Sequence, residues 1–294
     1  MFDRRVVSIF MWTYLNGEFI PKNEVSISPF DRGFLFGDSV YEVIPSYNNK
    51  LFLFDDHFKR LKNSLSITNI PFPDSLEDIY LSIMELQKKN EFSNQAIYIQ
   101  ITRGVDAERS HVSNHNTLPT VFMSSTELEV NPYREDPYRK GLDVQLEEDI
   151  RWKRCDVKAT TLLANIIPFH REAKFDADEV LFHDGRIINE GSKSNFFFVF
   201  DDLIVTPPKK QNILEGVTRN YFFRKLSEEG FNVIEKTVKI DDLEKADEIW
   251  VTSSTKEVQP VNKVENIALP KKELKDYYWH KALKILEEDL KVNS

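Results

Sequence analysis

The chain has 294 residues, 41% hydrophobic and 30% charged, an ordinary globular composition with enough length for a sizeable core in one or two domains. Its formal net charge of −9 argues against a general nucleic-acid binder, and no apolar run approaches the roughly 18 residues of a membrane span. The single cysteine excludes an internal disulfide and fits a reducing compartment, so a cytoplasmic location is expected.

The opening MFDRRVVSIFMW sets charges before a short apolar patch but lacks the h-region and cleavage site of a signal peptide. Residues 1–10 are read as an extension, with Met11 as an alternative start. In TYLNGEFI, Asn16-Gly17 between two β-prone runs predicts a hairpin; SVYEVIPSYNNKLFLF predicts another, turning at Asn48-Asn49. Asp55 or Asp56 is expected to cap a helix whose apolar face is Phe58, Leu61, Leu65 and Ile67. A second helix, about Ser75 to Lys89, presents Leu76, Ile79, Ile83, Met84 and Leu86. QAIYIQITRG and TVFMSSTE read as strands. VNPYREDPYRKG, rich in proline and charge, is the linker candidate, which sets the expected division at 1–129, a linker over 130–141 and a second domain over 142–294.

Leu142 to Glu147 reads as a strand. In RCDVKATTLLAN, Arg154, Cys155, Asp156 and Lys158 then crowd in front of Leu162, Leu163 and Ala164, as if charge led into the buried end of a helix running to about Lys174. EVLFHDGRIINEG predicts a hairpin over Asp184-Gly185, and NFFFVFDDLIVTP another. A helix is expected from Gly216 to about Glu229, DEIWVTSS as a buried strand, and KKELKDYYWHKALKILEEDL as an amphipathic helix. Clustered hairpins with helices between them predict an α+β architecture in two domains.

Five segments carry chemistry. Glu190 follows a strand in NEGSKSN, and Val217-Thr218 opens a helix whose free N–H groups and dipole suit a phosphate. Ser253 and Ser254 end a strand, Arg60 sits on a helix, and Lys158 offers an amine. An amine, a carboxylate and a phosphate-binding helix start are the parts that pyridoxal 5′-phosphate needs. Spacing alone does not select this cofactor over a nucleotide, and each residue has a plainer reading as a solvated charge, a cap or a turn residue.

The segments DRGFLFGDSVYEV, RLKNS, RCDVKATTLLAN, INEGSKSN, ILEGVTR and VTSSTKEVQPV resemble, in order and approximate spacing, those of the fold-type IV aminotransferases. That family covers branched-chain aminotransferases, D-amino-acid aminotransferases and aminodeoxychorismate lyase, and the resemblance runs from about Trp12 over nearly the whole chain. It implies the two-domain fold-type IV architecture with pyridoxal phosphate in a cleft between the domains. Lys158 would be the Schiff-base lysine and Glu190 the partner of the pyridine nitrogen. Arg60, Val217, Thr218, Ser253 and Ser254 fall on phosphate-binding positions, and Leu214 on the position packing against the ring. Cys155 is read as a small buried packing residue, and no metal is expected.

Within the family, Val40-Tyr41-Glu42-Val43 and the Arg109 and His111 of TRGVDAERSH resemble the D-amino-acid enzymes. This implies that Tyr41, Arg109 and His111 bind the substrate α-carboxylate, Arg109 through paired charge-assisted hydrogen bonds. The expected reaction is transamination between a D-amino acid (D-alanine as the first guess) and a 2-oxo acid (2-oxoglutarate), in a homodimer with no nucleic-acid or membrane partner. A branched-chain L-aminotransferase, an aminodeoxychorismate lyase and a non-catalytic oligomer are the alternatives. Three positions depart from the pattern: Ser39 where a second glycine is usual, Pro45-Ser46 after the V-Y-E-V stretch, and Lys193 among small residues. The first two could reshape the substrate side-chain pocket; Lys193 adds a cation near the cofactor or at the surface.

Overall fold

The computed structural model describes residues 11–71, 76–113, 117–170, 177–210 and 212–292. The extension over 1–10, Ser75 and the side chain of Leu76, and the far end of the helix expected to reach Lys174 lie outside them. No helix among the described residues is long and apolar enough to cross a membrane. The chain divides into two compact units, one formed by the described residues up to Glu129 together with Val157–Thr161, the other by Val130–Asp156 and the residues from Leu162 onward.

The first unit contains β1 (Trp12–Leu15), β2 (Glu18–Pro21), α1 (Arg32–Phe36), β3 (Ser39–Tyr47), β4 (Lys50–Leu51), α2 (Phe54–Thr68), α3 (Leu76–Asn90), β5 (Gln95–Thr102) and β6 (Thr120–Glu127). Its strands form one six-stranded sheet in the order β2-β1-β6-β5-β3-β4. Both expected turns form, with Asn16-Gly17 and Asn48-Asn49 at positive φ, the backbone that two-residue hairpins require. Val40 and Ile44 of β3 and Ile97, Ile99 and Ile101 of β5 share a core with Phe58, Leu61 and Leu65 of α2 and Ile79, Ile83 and Leu86 of α3. Two details of α2 differ from expectation. Leu53, in a left-handed conformation, stands at its N-cap, so Asp55 and Asp56 fall in the first turn, where they complement the dipole instead of capping. Ile67 is exposed, because the buried face turns through Ser64 and Leu65.

The second unit contains α4 (Pro132–Glu135), β7 (Leu142–Glu148), α5 (Leu163–Ile166), β8 (Glu179–Asp184), β9 (Ile187–Gly191), β10 (Asn195–Phe200), β11 (Leu203–Thr206), α6 (Val217–Glu228), β12 (Val233–Glu235), β13 (Glu248–Ser253), β14 (Glu257–Val264), β15 (Ile267–Ala268) and α7 (Tyr278–Val292). Its mixed sheet runs β12-β11-β10-β13-β14-β7-β8-β9, with β15 added to β14. The stretch expected as a linker is folded into this unit instead. Asn131 caps α4 and donates to the carbonyls of Lys256 and Val258, Tyr133 is buried, and Arg134 pairs with Glu257 at 2.7 Å. The β8–β9 turn is centred one residue later than expected, on Gly185-Arg186. α7 begins only at Tyr278, the preceding residues forming a short 3-10 turn over Leu274–Asp276.

The apolar run of β10 is buried on both faces. Phe196 and Phe198 enter one core cluster, while Phe197 stacks on Trp250 of β13 with ring centroids 4.2 Å apart. Phe222 of α6 meets the same Trp250 edge-on, so this aromatic group fixes α6 against the two strands. Phe197→Ala should cost about 3–5 kcal/mol of stability. Thermal unfolding measures it; a change within experimental error would show that the aromatic group does not hold this unit together.

Candidate active site

Lys158 does not lie at a helix end. Val157–Thr161 runs along the edge of β3 through a single bridge: Tyr41 N–H donates to the Lys158 carbonyl at 3.0 Å, Thr160 N–H donates to the Ser39 carbonyl at 3.1 Å, and Val40 bridges Ala159, while Ala159 N–H donates to the Val157 carbonyl at 2.9 Å and closes a tight turn at Lys158. Val157 and Ala159 enter the core with Val40, while the Lys158 amine stands 4.3 Å from the ring centroid of Tyr41. The helix expected to follow is short, and Leu163 is exposed rather than buried, since α5 makes only one turn before a 3-10 segment. The departure at Ser39 has a structural use. Its hydroxyl pairs with that of Thr160 and accepts from Gln100 Nε2 at 3.2 Å, contacts a glycine cannot make.

One face of α2 supports the same segment. His57, Arg60 and Ser64 are spaced to project together. Ser64 Oγ accepts from the Lys158 N–H at 3.2 Å. Arg60 donates to both oxygens of Glu42 at 2.6 and 2.9 Å, and His57 Nδ1 lies 2.8 Å from the same carboxylate. Burial would raise the Glu42 carboxyl, but the charge and hydrogen bonds of Arg60, with the hydrogen bond of His57, outweigh it and hold the group far below the carboxylate range. Burial lowers His57, with the charges of Arg60 and Lys158 adding to it, against the raising pull of the Glu42 carboxylate.

Arg109 and His111 are brought together. The Arg109 guanidinium lies 5.0 Å from the centroid of Phe36, and the His111 ring 5.6 Å from that same ring. Tyr41 belongs to a different aromatic group, with Tyr98 at 5.7 Å.

In the second unit, Glu190 on β9 is buried. It accepts from Arg151 Nη1 at 2.6 Å, from the Leu214 N–H at 3.0 Å and from Asn195 Nδ2 at 3.1 Å. Burial pushes its carboxyl up to about 7, against the downward pull of Arg151 and the Leu214 N–H. Arg151 is itself held by Asp149 at 2.8 Å and lies over the Phe182 ring at 4.7 Å, and its guanidinium is raised by those acids despite burial. Asn195 also donates to the Leu214 carbonyl, and a Cβ on Gly216 would fall 1.9 Å from Asn195 Oδ1. Only glycine lets the loop before α6 approach this closely. Gly216 is the N-cap of α6 and supplies no side-chain cap to the N–H groups of its first turn, where Val217 and Thr218 stand. Ser253 ends β13 and accepts from the Lys256 N–H at 3.2 Å, and Ser254 follows in the turn. Lys193 is exposed, over the Phe169 ring at 5.3 Å, and Cys155 is buried, its thiol pushed up to about 12 by burial.

The family model "Amino-transferase class IV" matches residues 39–264. The chain belongs to the class IV aminotransferases. It is 37% identical over 252 residues to a D-alanine aminotransferase of Staphylococcus haemolyticus, covering 86% of this chain and 88% of that one. It is 32% identical over 257 residues to the D-alanine aminotransferase of Listeria monocytogenes serotype 4b, covering 87% and 89%. Among solved structures it is similar to the T.th. branched-chain amino acid aminotransferase with pyridoxamine 5′-phosphate, at TM-score 0.84 and 24% identity over 95% of this chain and 93% of that one. At this identity the structural likeness establishes the fold, which is the fold-type IV architecture expected.

Sequence reasoning overlooked Arg151, Asn195, Glu42 and His57 in this aminotransferase. Glu42 left a signal: in Val40-Glu42-Ile44 it occupies a core-facing place that strand alternation reserves for an apolar side chain. Arg151 left none, its partner Glu190 lying 39 residues away.

Glu190 titration should be visible in stability. Its folded value is raised, so its contribution is fully present below the unfolded value near 4.5 and is lost as pH rises through about 7. In cofactor-free protein, Glu190→Gln should flatten the decline of melting temperature over this window. An unchanged slope would assign the titration to another group.

Proposed function

We propose that the protein transfers the amino group of a D-amino acid to a 2-oxo acid with pyridoxal 5′-phosphate as cofactor, D-alanine and 2-oxoglutarate being the first pair to test. Two D-alanine aminotransferases at 37% and 32% identity support the reading. The observation that carries the hand of the substrate is that Arg109 and His111, the matches to the D-type carboxylate anchor, share one supporting ring, Phe36.

The residues present suit that cofactor. Lys158 offers a primary amine, Glu190 a buried carboxylate with an arginine partner, and Gly216–Thr218 a helix start without a side-chain cap. When bound, pyridoxal phosphate supplies an electron sink for the substrate Cα. Lys158 would carry it covalently, and its amine would move the proton from Cα to C4′ as a positioned acid–base group. Glu190 would hold the proton on the ring nitrogen; a cation set against it lowers a carboxyl that burial has raised, so the carboxylate form persists. The N–H groups of Val217 and Thr218 and the hydroxyls of Thr218, Ser253 and Ser254 would bind phosphate. Arg60 would join them while Glu42 orients it, and Leu214 would pack against the ring. Tyr41, Arg109 and His111 would hold the α-carboxylate. With the carboxylate anchored there and the Cα–H directed at Lys158, one enantiomer alone places its side chain acceptably.

A homodimer is part of the proposal. Phe30, Phe34, Val105, Val112 and Leu118 are exposed near α1, where the Arg32 N–H donates to the Gly104 carbonyl and Val105 bridges Asp31. An apolar group of this kind suits a partner surface. A cytoplasmic location is supported by the single cysteine.

The test is a half-reaction followed by cofactor absorbance with D-alanine, L-leucine and L-glutamate in parallel. Rapid conversion by D-alanine is expected. Rapid conversion by L-leucine and none by D-alanine would overturn the D-specific reading.

A further inference from the structure

Arg32 is a buried arginine that no expected role uses. It opens α1, and its two Nη groups converge on one stretch of chain, Asp106 to His111. Nε donates to Asp38 at 2.9 Å, and Nη1 donates to Asp106 at 2.8 Å and to the Ser110 carbonyl at 2.6 Å. Nη2 donates to the His111 carbonyl at 3.2 Å. The guanidinium also lies 4.8 Å from the Phe36 centroid, the ring that carries Arg109 and His111.

Ala107 to Val112 are exposed and lie outside the helices and strands. The segment leaves at Gly104, whose positive φ brings its backbone so close to the Leu118 carbonyl that a Cβ would fall 1.9 Å from that oxygen. Beyond this pinch, among the described residues, Val105 bridges Asp31 and Arg32 tethers Asp106, Ser110 and His111. Asp38 fixes the tether's other side. Burial would raise its carboxyl, but hydrogen bonds and charge from Arg103 and Arg32 hold it below its ordinary value, so it stays an anion. Arg103 in turn donates to the carbonyls of Thr68 and Asn69 at the end of α2. Burying an arginine carries a large desolvation cost unless its donors are satisfied, and a well-packed apolar residue would serve stability as well. The planar fork therefore points to a task of geometry.

We propose that Arg32 is a positioning residue for the substrate-carboxylate anchor. Gripping the Ser110 and His111 carbonyls and stacking on Phe36, it holds Arg109 and His111 in the arrangement that selects the substrate's hand. The proposal rests on the reading of Arg109 and His111 as that anchor.

The experiment compares the holoenzyme with Arg32→Lys, Phe36→Leu, Arg109→Ala and the doubles that combine each of the first two with Arg109→Ala. Arg32→Lys keeps the charge but cannot reach both carbonyls and Asp106 at once. It should raise the D-alanine KM about tenfold with a much smaller change in kcat, the signature of lost positioning at a binding group. Added to Arg109→Ala it should do almost nothing further, because the group it positions is gone. Phe36→Leu should behave in the same way and carries the comparison if Arg32→Lys fails to fold. Equal losses with and without Arg109, or no change in KM, would overturn the positioning role while leaving the anchor intact. If Arg109→Ala alone left D-alanine kinetics unchanged, the anchor reading would fall and this proposal with it.

Discussion

A lysine amine at the end of four methylenes is useful to chemistry only if its backbone cannot move. Here the backbone around Lys158 is tied on both sides, to Tyr41 and Ser39 of β3 and to the Ser64 hydroxyl of α2. Edge pairing also fixes which side chains face which way. Val157 and Ala159 go to the apolar core, and the amine goes to the opposite face beside Tyr41. The register of five residues thus governs where an amine can act in the first unit.

Glu42 in the first unit and Glu190 in the second are both buried, and their surroundings tune them in opposite directions. Glu42 receives a bidentate arginine and a histidine, which hold it as a permanent anion and thereby lock Arg60. Glu190 receives one arginine contact and N–H donors that do not fully offset burial, and its carboxyl rises to about 7. The residue type is the same; desolvation and the number of charged partners separate the two. A fixed anion suits a structural clamp, whereas a raised carboxyl gains most from a new cationic partner, the property that holding a ring N–H⁺ requires.

Local structure was legible where backbone chemistry is local. Asn16-Gly17 and Asn48-Asn49 announced their turns, and alternation in QAIYIQIT and the continuous run NFFFVF announced strands with one and two buried faces. Lys158 and Glu190 stood out only through motif resemblance, and their surroundings were not legible at all. Arg32 meets Asp106 across 74 residues and Arg151 meets Glu190 across 39, pairings that no window of sequence contains. The supposed linker misled for a similar reason: prolines and charges read as solvent-facing, yet Asn131 and Arg134 find their partners more than 120 positions later.

Lys158, proposed as the residue to which the cofactor is joined, is open to one direct measurement. Reduction of the holoenzyme with borohydride fixes the bound cofactor to its lysine, and peptide mapping by mass spectrometry then locates it. The pyridoxyl group should be found on Lys158, within the RCDVKATTLLAN stretch that pairs with β3. A label on another lysine, with Lys158 unmodified, would rule Lys158 out as the attachment point.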